Sequence, residues 1–234
     1  MNRIIRNGVA MGMALLLHGL AERAAAQQFV VDDANIVDAG GCQVEAWYGQ
    51  SSQWLLPACR LLPWTEVTTG IGLAPEGDGR LVKYAVQAKV LLVEAQRGTP
   101  GLGFVAGVGM DRLGQVLGSR VSGVYAHVPV TVLLGAERAA AHANIGWHNE
   151  RNHDGTHGTH HALTWGLRAD VLVTPRLTLI GELFGEDQER PEYQAGLRST
   201  LLTDRLQLDV SWGGHTERGA GGAGWTVGLA WTPR

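Results

Sequence analysis

Between Thr159 and Trp212 apolar and polar residues alternate with a period of two, and the alternation stops at turn residues, a pattern of consecutive β-strands rather than helices. In the first of these strands Leu163, Trp165, Leu167, Ala169 and Val171 share one face, while Thr164, Gly166, Arg168 and Asp170 share the other, because successive strand side chains point to opposite sides. The connections at Thr174, Pro175 and Arg176 and at Thr203 and Asp204 are tight, whereas DQERPE between them is longer. Short turns at one end and longer loops at the other are how a membrane β-barrel is laid out.

The same alternation recurs along the chain. WTEVTTGIGL sets Val67, Thr69, Ile71 and Leu73 against Glu66 and Thr68. RLVKYAVQAKVLLVEA turns Lys83, Gln87 and Lys89 inward, and RVSGVYAHVPVTVLL turns Tyr125, His127, Pro129 and Thr131 inward. AHANIGWHNE sets Ile145 and Trp147 outward, with His142, Asn144 and His148 inward. Pro129 lacks an N–H for the ladder, so a bulge or local break is expected there. With GLGFVAGVGM, a first hairpin and the final GWTVGLAW, the chain predicts an all-β fold: a transmembrane antiparallel up-and-down β-barrel of about 12 strands over residues 41–234. Trp64, Trp147, Trp212, Trp225 and Trp231, near strand ends, suit aromatic girdles at the membrane interfaces. A soluble β-core is the alternative, since periodicity cannot tell lipid from a second sheet. The charges on the second face of several neighbouring strands argue against it.

Residues 1–26 read as a signal peptide: Arg3 and Arg6 precede the apolar run VAMGMALLLHGL, and Ala24, Ala25 and Ala26 offer a cleavage site. An uncleaved anchor is the alternative, but the run is shorter than the roughly 20 residues a spanning helix needs. Residues 27–40 carry Asp32, Asp33, Asn35 and Asp38 without sustained alternation, and read as a periplasmic or lumen-packed lead-in. Removing Arg3, Arg6, Arg23 and Glu22 from the 19 basic and 22 acidic residues leaves 16 against 21, so no basic excess invites nucleic acid. In the hairpin GCQVEAWYGQSSQWLLPAC, closure about Gln50 and Ser51 sets Cys42 opposite Cys59 and Trp47 opposite Trp54. These are the only two cysteines, and an exported chain meets an oxidising compartment, so a disulfide is expected, with free thiols as the alternative.

The opening FVVDDANIVDAGGCQVEAWY, through Asp32 and Asp33, Gly40 and Gly41, and Glu45, resembles the start of the meta-pathway phenol-degradation family. Val31 stands where that pattern has Thr. The resemblance implies a Gram-negative outer-membrane barrel passing small, often aromatic, molecules. Membrane-barrel chains commonly finish on an aromatic residue that the insertion machinery reads, whereas here Thr232, Pro233 and Arg234 follow Trp231.

Catalytic signatures are missing: no G-x-S-x-G elbow, P-loop or H-E-x-x-H helix occurs, no cofactor is expected, and the chain is read as a non-enzyme. The reading is a narrow passive channel for small-molecule solutes, embedded in outer-membrane lipids and delivered by the barrel-insertion machinery. The alternatives are a non-conducting structural or surface-binding barrel and a lipid enzyme acting at the rim. The lumen is expected to present Lys83, Lys89, Tyr125, His127 and Asp170. Centring the three connections on Pro175, on Glu189 and Arg190, and on Thr203 and Asp204 further predicts a ladder Arg168, Glu182, Arg198, Asp209 of alternating sign across four strands. In the loop WHNERNHDGTHGTHH, His153, His157, His160 and His161, with His148 close by, are candidate metal ligands, against the alternative of a solvated loop.

Overall fold

Twelve strands close on themselves in the computed structural model, which describes residues 29–50, 52–76, 79–113, 120–135, 137–151, 159–202, 205–216 and 224–233. The strands are β1 (Cys42–Gly49), β2 (Gln53–Leu62), β3 (Thr65–Glu76), β4 (Gly79–Val93), β5 (Gly101–Leu113) and β6 (Arg120–Leu134). They continue with β7 (Ala139–Arg151), β8 (Thr159–Thr174), β9 (Leu177–Glu186), β10 (Glu192–Leu202), β11 (Leu206–His215) and β12 (Gly224–Trp231). Each pairs antiparallel with its chain neighbours, and β1 pairs with β12, Val44 opposite Trp231. Closure leaves no edge strand, so every strand has its backbone partners on both sides. The expected signal peptide, residues 1–26, lies outside the described residues.

Alternation sorts the side chains as a membrane barrel requires. Ile71, Ile145, Leu163, Leu167, Leu179, Leu197 and Val210 are exposed on the outer wall, while Glu66, Lys89, His142, Arg168, Glu182 and Asp209 are buried on the inner one. The outer tryptophans Trp64, Trp147, Trp212, Trp225 and Trp231 are exposed too, and Trp212 opposes Trp225. Pro129 keeps its register against Asn144 of β7, but the ladder to β5 is interrupted there, with pairs at Leu102↔Val130 and Val105↔His127 and none between. The missing N–H thus breaks the ladder locally without a register shift.

Tight turns set register faithfully. Cys42 opposes Cys59 and Trp47 opposes Trp54, and the two cysteines are joined by a disulfide with their Cα atoms 4.1 Å apart. Arg168 opposes Glu182, and Arg198 opposes Asp209. The β9–β10 pairing corrects the expected ladder: Glu182 opposes Gln194, and Arg198 opposes Thr178, four positions from the predicted register. A shift of an even number keeps every side chain on its face, so alternation could not detect it. The ladder is therefore broken between β9 and β10: Arg198 and Asp209 form an ion pair, while Arg168 opposes Glu182 in register but bonds to Asp170.

Candidate functional site

Because the odd connections, β1–β2 through β11–β12, lie at one end of the barrel, the chain preceding β1 starts at the other end, the turn end. From there residues 29–37 fold into the lumen. Phe29, Val31 and Ala34 are buried, Ala34 completely. Their backbone is received by side chains of the barrel wall. The Val30 and Val31 N–H groups donate to the Glu182 carboxylate at 2.9 and 3.1 Å, the Ala34 N–H to Thr131 Oγ1 at 2.9 Å, and the Val37 N–H to Glu66 Oε2 at 2.8 Å. Arg168 donates to the Val31 carbonyl at 3.2 Å and to both oxygens of Asp170 at 2.6 and 2.5 Å. The segment is not part of the sheet, so wall side chains satisfy its backbone groups.

Two glycines let it approach. A Cβ at Gly166 would meet Val31 Cγ2 at 2.6 Å, and one at Gly196 would meet the Phe29 ring at 2.8 Å. Phe29 packs edge-on against Trp47, ring centroids 6.1 Å apart, with Trp54 and Leu56 beside it. The guanidinium carbons of Arg168 and Arg198 lie 5.3 and 5.9 Å from the centre of the Phe29 ring, within cation–π range. Arg198 is otherwise held by Asp209 through two bonds of 2.8 and 2.9 Å. The space that the expected ladder would have bridged is thus occupied by Phe29.

Acidic residues of the segment meet lumenal cations. Lys89 Nζ is 2.9 Å from Asp32 and 3.6 Å from Asp33, and His127 Nε2 is 3.6 Å from the second Asp32 oxygen. Burial pushes the Asp32 carboxyl up, but Lys89 and His127 outweigh it and hold the group well below the usual carboxylate range. Tyr125 donates to Gln87 Oε1 at 2.9 Å. Thr131 Oγ1 accepts from the Ala34 N–H and lies 2.9 Å from His142 Nδ1, whose Nε2 is 3.8 Å from Asp170. Lys83 stands nearer the loop end on the inward face, opposite Asp111 in register.

Between the segment and the wall of β1–β4, β6, β8 and β10–β12 remains a cavity of about 560 Å³. Its lining mixes Trp47, Trp54 and Tyr125 with Gln43, Glu45, Glu66, Gln87, Lys89, Arg198 and Asp209. Sequence reading did not single out Phe29, Trp47 or Trp54 as lumenal. A signal existed for Trp47, since alternation puts it on the face of Gln43 and Glu45, and its indole donates to Glu45 at 3.1 Å. No such signal exists for Phe29, which lies in a stretch without alternation.

Of the candidate metal ligands, His153 and His157 lie outside the described residues. His160 and His161 point to opposite sides of β8, as neighbours on a strand must. His161 is exposed beside Trp147 of the outer wall, ring centroids 5.8 Å apart, and is removed from any site shared with His160. His160 is on the inward face, with His148 and Glu186.

Residues 12–231 match the family described as Uncharacterised conserved protein UCP029691, rather than the meta-pathway phenol-degradation family that the opening residues resemble. No curated protein matches the chain. The fold is similar to the COG4313 outer membrane channel from Pseudomonas putida F1, with a TM-score of 0.64 and 12% identity over 88% of this chain and 100% of that one. It is also similar to the KdgM porin, at 0.62 and 8% identity over 83% and 99%, and to the KdgM porin in complex with disordered oligogalacturonate, at 0.60 and 9% identity over 83% and 99%.

Proposed function

The chain belongs to the UCP029691 family, and on that premise we propose that it is an outer-membrane barrel of a Gram-negative cell forming a narrow passive channel for small molecules. The observation that carries this reading is the 560 Å³ polar cavity left beside the N-terminal segment inside a closed twelve-strand barrel. A barrel of this size, between the filled eight-strand and the open sixteen-strand kinds, suits a narrow lumen. The apolar outer wall with its exposed tryptophans supports contact with membrane lipid, and the likeness to outer membrane channels in fold supports the same placement. Residues 1–26 serve as the export signal, and the barrel-insertion machinery delivers the chain. With both termini at the turn end, that end faces the periplasm and the longer loops face the cell surface.

The cargo class follows from the lining. Lys89 is matched by Asp32 and Asp33, Arg168 by Asp170 and Arg198 by Asp209, so among the described residues no unbroken basic or acidic track crosses the lumen. Aromatic rings from Trp47, Trp54 and Tyr125 face the remaining space. That lining suits small, uncharged or aromatic solutes better than polyanions. The chemistry proposed is passage without catalysis.

A non-conducting barrel is favoured by one observation, the filling of the β5–β9 side by the N-terminal segment. Single-channel recording from refolded protein in planar bilayers decides between the two. Small, discrete conductance steps that grow when residues 27–37 are deleted support the channel; no conductance in either form supports the closed barrel.

A further inference from the structure

Near the loop end, three inward-facing side chains from three successive strands converge. His148 of β7 opposes Ala162 of β8, His160 stands two residues before Ala162, and Glu186 of β9 opposes Thr164, two residues after it. Ala162 is almost fully buried and has only a methyl group, so the residues flanking it can reach across. His148 Nε2 lies 3.5 Å from one oxygen of Glu186 and His160 Nε2 lies 3.3 Å from the other. The imidazole rings are 5.9 Å apart and inclined at 59°, and the ligand atoms of all three residues lie within 4.8 Å of one another.

We infer that His148, His160 and Glu186 form a binding site for a divalent transition-metal ion of the zinc class at the surface-facing mouth of the lumen. Ligand atoms held about 2.0–2.1 Å from a tetrahedral ion are roughly 3.4 Å apart, and each imidazole nitrogen lies near that distance from its own oxygen of the Glu186 carboxylate, which spans the two. Two imidazoles and a carboxylate form a three-ligand set that leaves one position open to water or solute. Imidazole nitrogen selects zinc, copper(II) or nickel over calcium and magnesium, which take oxygen. His148 Nε2 is shielded from solvent and has no hydrogen-bond partner, so a metal would satisfy an atom the protein leaves unpaired. The site remains reachable, because the His160 side chain is 38% exposed. No other group of three potential ligands this close occurs among the described residues. A bound ion would tie β7, β8 and β9 together and place positive charge at the mouth.

The site goes beyond the channel reading, and its test does not depend on conductance. Refolded full-length mature protein in detergent is titrated calorimetrically with zinc chloride, with calcium chloride as the contrast. One zinc per chain is expected, with no heat from calcium. Affinity should fall at least tenfold in Glu186→Gln and disappear in the double variant His148→Ala/His160→Ala, while His153→Ala/His157→Ala and His161→Ala bind as the parent does. Heat-modifiable migration on detergent gels identifies variants that keep the barrel, and Glu186→Gln, nearly isosteric, is the variant least exposed to misfolding. Absence of zinc binding in the parent, or binding that survives in His148→Ala/His160→Ala, overturns the assignment.

Discussion

Replacing Glu182 with Ala removes the carboxylate that receives the Val30 and Val31 N–H groups at 2.9 and 3.1 Å. The two losses are unequal. Val30 is 41% exposed and its N–H can turn to water, whereas Val31 is 1% exposed and its N–H is left buried without a partner. An orphaned buried donor costs about 1–3 kcal/mol. Losing a charged acceptor adds to this, but deleting Glu182 also removes the cost of burying its charge when the segment docks. A net weakening of about 2 kcal/mol is expected, which is roughly 30-fold in the ratio of docked to released segment at 1.4 kcal/mol per factor of ten. Hydrogen exchange of detergent-refolded protein, read by mass spectrometry on peptides covering residues 29–37, measures that ratio, since protection follows local opening. The segment should exchange roughly 30-fold faster while strand amides of β7 and β8 are unchanged, and Glu182→Gln, which keeps an acceptor oxygen without the charge, should fall between. Protection of the segment within threefold of the parent, in a variant that still forms the barrel, would show that Glu182 does not hold the segment in place.

Three further outcomes follow from the same geometry. Asp209→Asn leaves Arg198 without its charged partner; the variant should lose about 3 kcal/mol of stability to denaturant, and a conducting barrel should shift its reversal potential toward anions, an unchanged potential counting against a lumenal Arg198. Protein unfolded without reductant should show no thiol that reacts with an alkylating probe, because Cys42 and Cys59 are bridged, and stoichiometric labelling would contradict the bridge. Burial raises the Asp32 carboxyl but Lys89 and His127 lower it further, so its contribution is complete above the ordinary carboxylate value and is lost progressively as pH falls from there through the lowered one; a carbon-13 carboxyl titration of Asp32 with a midpoint near 4 would refute the contact.

The sequence by itself determined the number of strands, the face of each side chain and the register across tight turns. These are local properties: alternation has a period of two, and a two- or three-residue turn leaves one way to pair the strands it joins. Cys42 with Cys59, Arg168 with Glu182 and Arg198 with Asp209 were all legible on that basis. Tertiary structure decided the rest. Glu182 meets Gln194 rather than Arg198 because the longer β9–β10 connection permits several registers of the same parity. Phe29, Val31 and Asp32 find Arg168, Glu182 and Lys89 only once the barrel has closed around them, across separations of 57 to 152 residues that no periodicity encodes. His148, His160 and Glu186 converge for a related reason: three strands must pair before ligands distant in sequence share one point, so a histidine-rich stretch told where nitrogen ligands are plentiful but not which of them face one another.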